Sequence, residues 1–249
     1  MGVKMFEVRI ATTAEELSKI FAFRYRIFVH ELSKPIRHAD HAKGILADQY
    51  DPVATQLYLT KDEKIVGAIR ILNGRAHACP QMEHNFALSR FSPFRDEHFS
   101  FTSRLFILPE YRCTRALITL LKAIYDLARS KASLLDFIVC GPKMVKLYEQ
   151  LGYRRYKEHG EDPEMGLIIP MVLVLDDVSH MRRVKSPFYR VAKNWPSEPG
   201  NASWVVSEFM AHESKVSTAS LLERPFGAHI HRKPQHATGP FAGKLGSTS

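Results

Sequence analysis

A chain of 249 residues with 45% apolar content is long enough for one large domain plus an appendage, with a sizeable core. No apolar run approaches the roughly 18 residues of a membrane span. The N-terminus has no signal-peptide apolar stretch, and three scattered cysteines exclude a disulfide framework, so a cytoplasmic protein is expected. The formal charge of +9 favours an acidic partner: nucleic acid, anionic lipid, a phosphate-bearing cofactor or an acidic carrier protein. From His180 to Ser249, however, ten Lys/Arg face four Asp/Glu, so about +6 lies in the tail. The body is mildly basic, and no nucleic-acid partner is expected.

Val8 to Ala11 reads as a short strand. Thr13 and Glu16 have the spacing of a capping box, and the helix they open is expected to run to about Leu32 on the stripe Leu17, Ile20, Phe21, Ile27, Phe28, Leu32. Arg24 lies on or beside that stripe, where its stem could snorkel to the surface or its charge could be paired. Turn signals break the pattern from Ser33 to Ala54, a segment that holds His38, Asp40, His41, Asp48 and Asp51. Gln56–Thr60 and Ile65–Leu72 then form a hairpin. Arg70 interrupts its second strand, and a guanidinium there needs partners, for which Asp48 and Asp51 are candidates.

Arg75 to Ser100 reads as a loop with one short helix. Phe101 to Leu108 is an apolar strand carrying Ser103 and Arg104. It runs through Pro109 into a turn with Arg112, and a helix follows from about Arg115 to Lys131, capped by Thr114. A strand that ends at a helix N-terminus suits a phosphate or a carbonyl dipole. Arg115, Lys122 and Arg129 recur every seven residues as a basic line on that helix. Leu134–Cys140 is an apolar strand broken only by Asp136, followed by a short helix to Leu151 with Gly152 as its cap. Tyr153–Lys157 and Gly166–Leu175 are the last two strands expected. Helices are expected at His180–Arg190 and Ser203–Glu213, and Pro225–Ser249 has the composition of a segment that packs little core. The fold class is therefore mixed α/β (α+β), with antiparallel hairpins, one β-α-β crossover and a basic C-terminal extension from residue 179 to 249 after a domain at 1–178.

Five stretches carry a resemblance. Arg24-x-x-Ile27-Phe28-x-x-x-Leu32, Asp48-x-x-Asp51, Gly67-x-x-Arg70-Ile71-Leu72, Pro80-x-Met82 with Phe86, and Ser103-Arg104 occur in that order. Together with Leu147-Tyr148 and Leu151-Gly152 they resemble the GNAT superfamily of N-acyltransferases, and within it the N-acyl amino acid synthases and acyl-homoserine-lactone synthases, over about residues 8 to 175. The resemblance implies a central, mostly antiparallel sheet flanked by helices, and transfer of a fatty acyl group from a thioester to an amine. Two departures shift the acceptor. The acid that lactone makers place two residues before the serine is Phe101 here, and their tryptophan is Lys34. Both argue against S-adenosylmethionine and for an amino acid or related amine; an autoinducer synthase and a non-catalytic acyl-binding module are the alternatives. The family's pyrophosphate loop, Q/R-x-x-G-x-G/A, is Arg112-Cys113-Thr114-Arg115-Ala116-Leu117 here, without glycine. That favours phosphopantetheine on an acyl carrier protein over acyl-CoA as co-substrate, with Arg112, Arg115, Lys122 and Arg129 suited to docking an acidic carrier.

The resemblance implies roles residue by residue. Arg104, Ser103 and Tyr148 are expected at the chemistry, Tyr148 as the donor of a proton to the leaving thiolate. Glu83 is a candidate base beside Asp48 and Glu31. Arg24, Phe28, Asp48, Asp51, Arg70 and Phe101 are expected to order the acceptor pocket. Phe106, Ile107 and Leu108 are expected to offer backbone N–H groups, and Arg112, Thr114, Arg115 and Ala116 to meet the donor's phosphate. No permanently bound cofactor is expected. The spacings of His77, Cys79 and His84, and of His229, His231 and His236, do not fit a zinc site, so no metal is expected.

Overall fold

A computed structural model gives the fold of residues 6–210, leaving out 37, 75–79, 113 and 164. The chain divides into two units, Met1–Ala211 and His212–Ser249. The tail from residue 225, Cys79 and Cys113 lie outside the described residues.

Strand β1 (Glu7–Ile10) leads into helix α1 (Ala14–Tyr25). The capping box forms as its spacing implies: Thr13 Oγ1 accepts the Glu16 N–H at 3.2 Å and Glu16 returns a carboxylate oxygen to the Thr13 N–H at 3.0 Å. The α-helix stops short of Leu32. Arg26–Glu31 is a π-helical turn, closed by the Leu32 N–H donating to the Ile27 carbonyl five residues back. The wider turn shifts the apolar register, so Ile27 and Phe28 are buried while Leu32 is exposed.

Strands β2 (Thr55–Lys61) and β3 (Lys64–Asn73) form the expected hairpin, turning on Asp62 and Glu63, both at positive φ. The next stretch holds helix α2 (Pro80–Phe86) and two 3₁₀ turns before strand β4 (Phe99–Ile107). Helix α3 (Arg115–Ser130), strand β5 (Leu135–Cys140), helix α4 (Val145–Leu151) and strands β6 (Arg154–Arg155), β7 (Gly160–Asp162) and β8 (Gly166–Val174) follow. The three-residue β7 carries no sequence signal of its own and forms by pairing with β8. In place of one helix at His180–Arg190 there are two short ones, α5 (Val178–Arg183) and α6 (Tyr189–Ala192). Helix α7 (Pro199–Val205) ends in a second π turn, Val206–Met210.

The strands lie in the order β1-β2-β3-β4-β5-β8-β6, antiparallel except for the β4–β5 pair that α3 joins. Alternation along the strands divides the core. Ile69, Ile71, Ile138, Met171 and Leu173 face α3 and α4 with Leu120, Leu121 and Ile124. On the opposite face Phe23, Ile27 and Phe28 pack on Tyr58, Ala68 and Phe106, and beside them an aromatic cluster holds Phe86, Phe91, Phe99, Phe101, Phe137 and Tyr156. Met181, Phe188, Val205 and Phe209 belong to these same clusters, so the chain as far as Met210 is part of the body, and the expected break after residue 178 is not where the core ends.

Candidate active site

The centre is β4. On one side it pairs with β3, and the register slips: Ala68 faces Phe106 and Arg70 faces Ser103, leaving Arg104 and Leu105 opposite Ile69 alone. This is a β-bulge. At its apex Arg104 adopts φ +54°, a left-handed conformation that costs a bulky residue on the order of 1–3 kcal/mol. Gly67 permits the close approach. A Cβ there would lie 2.5 Å from Ile107 Cδ1 and 3.1 Å from the Phe106 carbonyl oxygen.

On its other side β4 pairs with β5 at Phe99–Leu135, Ser100–Asp136 and Phe101–Phe137 only. Beyond Phe101 the two strands diverge into a wedge. The Leu108 N–H donates to the Val66 carbonyl, which makes Gly67–Ile107 a non-hydrogen-bonded pair and turns the N–H and C=O of Ile107 away from β3. Of the three backbone donors expected here, Leu108 is therefore already engaged, and the Ile107 N–H is the one on the wedge side.

The bulge delivers Arg104 into a buried network. Arg24, 1% exposed, does not snorkel: it donates to Asp51 at 2.7 Å, Gln56 Oε1 at 3.1 Å and the Leu46 carbonyl at 3.3 Å. Arg70 donates to Asp48 at 2.5 Å, Asp51 at 2.9 Å and Ser103 Oγ at 3.0 Å. Arg104 donates through Nη2 and Nε to Asp48 Oδ2 at 2.7 and 3.2 Å and lies over the Phe28 ring. Three arginines thus meet two aspartates, an excess of one positive charge. Side-chain exposure rises from 1% at Arg24 through 5% at Arg70 to 18% at Arg104, so the excess opens to solvent at Arg104. Burial pushes the Asp48 carboxyl up, but Arg70 and Arg104 outweigh it and hold it well below the usual carboxylate range. Asp48 is thereby a poor base.

The other expected positions divide. Glu83 is exposed on α2 and accepts from the Ser89 N–H and hydroxyl, outside the network. Glu31 is paired with Arg112, which also donates to the Ile107 carbonyl. Phe101 is 3% exposed, stacked on Phe137 and tilted against Phe86, so it belongs to the closed aromatic core. At the start of α3 the Ala116 N–H is taken by its cap, Thr114 Oγ1, at 3.1 Å, leaving Arg115 exposed beside it. Arg129 is buried, donating to the Ser133 and Pro196 carbonyls, so the basic line expected along α3 is broken there.

Tyr148 lies on the α3–α4 face with its ring edge against Tyr153, and burial pushes its phenol well above the ordinary value. Tyr153 leads to a group that did not stand out as functional. Asp136 is buried at the wedge apex and accepts from Tyr153 at 2.5 Å, Ser100 Oγ at 2.6 Å and Thr102 Oγ1 at 3.0 Å. Burial raises its carboxyl to about 6 against those hydrogen bonds. The signal was present: a lone aspartate in an otherwise apolar strand. Gln56, which bridges Arg24 and Asp51, had no signal beyond its position opposite Arg70.

A bulged central strand, a wedge beside a parallel partner and a helix starting at the wedge mouth are the frame of a known fold. Residues 23–122 match the family model described as Acetyltransferase (GNAT) domain. Over those residues the chain is similar to GNAT acetyltransferase domains. No curated protein matches it. Among solved structures it is similar to FeeM, an N-acyl amino acid synthase from uncultured soil microbes, at 19% identity and TM-score 0.56, over 74% of this chain and 98% of that one. It is also similar to two CoA-dependent acyl-homoserine lactone synthases. MesI matches at 20% identity and TM-score 0.54 over 75% and 95% of the two chains, and BjaI at 14% and 0.57 over 74% and 91%. At these identities the likeness is one of fold.

Proposed function

We propose that this GNAT domain moves a fatty acyl group from a phosphopantetheine thioester to the amine of an amino acid, with acyl carrier protein preferred to CoA as the donor. The observation that carries the acceptor is the surplus charge: a network of three arginines and two aspartates that opens at Arg104 suits an acceptor bearing a carboxylate. The preference for a carrier rests on the glycine-free start of α3 and the engaged Ala116 N–H, which offer a pyrophosphate little backbone to bind. FeeM, named as an N-acyl amino acid synthase, agrees with this reading in fold.

In this mechanism the thioester lies in the β4–β5 wedge with its carbonyl oxygen at the Ile107 N–H, which stabilises the tetrahedral oxyanion. The amine attacks the carbonyl carbon, a C–N bond forms, and the C–S bond breaks with its electron pair on sulfur. Tyr148 passes its proton to the departing thiolate and is reprotonated from solvent, which takes up the proton that the amine gives off. Among the described residues the candidate carboxylates are committed: Asp48 and Asp51 to arginines, Glu31 to Arg112, Glu83 to Ser89. The amine's proton is therefore lost to water, and turnover rises with pH towards the amine's own pKa.

The test is thiol release from acyl carrier protein thioesters and from acyl-CoA with a panel of amino acids, the product identified by mass spectrometry. Transfer should fall at least tenfold for amines lacking the carboxylate, and Arg104→Ala should abolish the difference along with most turnover. Equal rates with and without the carboxylate refute the acceptor class.

A further inference from the structure

Away from the wedge, Lys122 of α3 and Arg182, Lys185 and Arg190 of the α5–α6 segment line one groove of about 420 Å³, together with Ser186, Pro187 and Tyr189. No carboxylate lines it, and none of the four cations has an ion-pair partner among the described residues. Arg182, Lys185 and Arg190 are exposed. Four cations converging without a counter-charge repel one another, which costs the folded state unless an anion is bound.

The kind of anion follows from what else lines the groove. A compact phosphate site uses free backbone N–H groups. Here those groups are engaged: Lys185 N–H with the Arg182 carbonyl, Ser186 N–H with Met181, Phe188 N–H with Ser186 Oγ and Tyr189 N–H with the Ser186 carbonyl. Pro187 has none. An anionic bilayer is disfavoured differently, since the large exposed apolar side chains, Ile10, Leu32, Val53, Val139, Met144, Met165, Leu167 and Val206, all lie outside the lining. Recognition by side-chain charge alone, across an open groove contributed by separate elements, fits the acidic face of another protein.

We propose that this groove docks an acidic protein surface and that, on the reaction proposed above, this protein is the carrier bearing the thioester. Lys122 lies seven residues into α3 from Arg115, about 10 Å along the helix from the wedge mouth. Docking there sets the carrier beside the cleft without covering it. The basic surface thus lies across α3 to α6 and not along α3 alone.

Fluorescence anisotropy with labelled apo acyl carrier protein tests the docking independently of catalysis. The full chain should bind it with an affinity that falls as salt rises, and Lys185→Glu with Arg190→Glu should weaken binding at least tenfold. Both side chains are exposed, so the variant should keep the wild-type melting curve. Its transfer rate from an N-acetylcysteamine thioester, which has no carrier, should be unchanged while KM for the carrier-borne thioester rises. An unchanged Kd in the double variant overturns the proposal, as does competition by CoA at equal affinity, preferential binding to phosphatidylglycerol vesicles, or no carrier binding by the wild type. Carrier binding lost on charge reversal, with no transfer to any amine, leaves the docking in place and overturns the reaction. Transfer from the carrier that is insensitive to reversal does the opposite.

Discussion

Replacing Asp48 by asparagine removes one negative charge and nearly nothing else. Its carboxylate accepts from Arg70 at 2.5 Å, from Arg104 at 2.7 and 3.2 Å and from the Tyr50 N–H at 3.0 Å, and its side chain is 11% exposed. The variant leaves three guanidiniums facing Asp51 alone, raising the excess from one positive charge to two. Breaking a buried pair by removing one partner costs about 3–5 kcal/mol. Asparagine keeps one acceptor oxygen, so the expected loss is near the lower end, about 3 kcal/mol. With an m-value of about 2 kcal/mol/M, the urea midpoint should fall by about 1.5 M. The gap should depend on pH in one direction. A carboxyl whose folded pKa is depressed contributes stability that is fully present above its unfolded value, about 4, and is lost as pH falls towards the folded value. Wild type and variant should therefore converge below about pH 4. A loss under about 1 kcal/mol at pH 7, the size of a surface ion pair, refutes the view that the network is buried and interdependent.

Three further outcomes follow from the geometry. Tyr148→Phe should lower kcat by about 10² or more with KM unchanged, and a thioester of an acidic thiophenol, which needs no proton on leaving, should restore the rate; equal loss with both leaving groups removes Tyr148 from the chemistry. Asp136 titrates opposite to Asp48: its folded pKa is raised to about 6, so the stability it adds is fully present below about 4 and is lost as pH rises through 6. Asp136→Asn should remove that slope, worth up to about 3 kcal/mol between pH 4 and 7, and parallel denaturation profiles for the two proteins would count against it. Gly67→Ala should cost about 1–3 kcal/mol in thermal melts and reduce turnover, because its Cβ displaces Ile107 at the wedge; an unchanged melt means that the close approach relaxes freely.

The apolar periods of 3.6 and 2 made most of the fold legible, since Leu120, Leu121 and Ile124 on α3 and Ile69 and Ile71 on β3 face each other as their spacing requires. The periods could not report the π turn at Arg26–Glu31, which replaces one hydrogen-bond register by another, nor β7, whose existence depends on β8. The partners of Arg70 were legible because a guanidinium in an apolar strand demands carboxylates, and Asp48 and Asp51 were at hand. Glu83 and Phe101 show the limit of position in a motif. One caps a neighbouring turn and the other stacks in the core, because side-chain direction depends on the fold around it. Arg129 made a periodic basic line with Arg115 and Lys122, yet Pro196, 67 residues on, takes it out of solvent.

The bulge and the wedge have one logic. A flat β4 paired on both edges would direct Arg104 by simple alternation and leave no room beside Ile107. The bulge lets Ser103 stay on the face of Arg70 while turning Arg104 towards Asp48, and the loss of pairing beyond Phe101 frees the Ile107 N–H on the other edge. The strain at Arg104 is offset by its ion pair with Asp48, so the residue proposed to meet the acceptor is held by the same contact that fixes the strand's shape. Behind the apex, Asp136 ties Ser100 and Thr102 of β4 to Tyr153, which packs on Tyr148. The proposed acceptor side and the proposed leaving-group side thus lie on opposite faces of the sheet, with β4 contributing to both. A change at Asp48 should accordingly disturb acceptor binding before it disturbs proton donation by Tyr148, and a change at Asp136 should do the reverse.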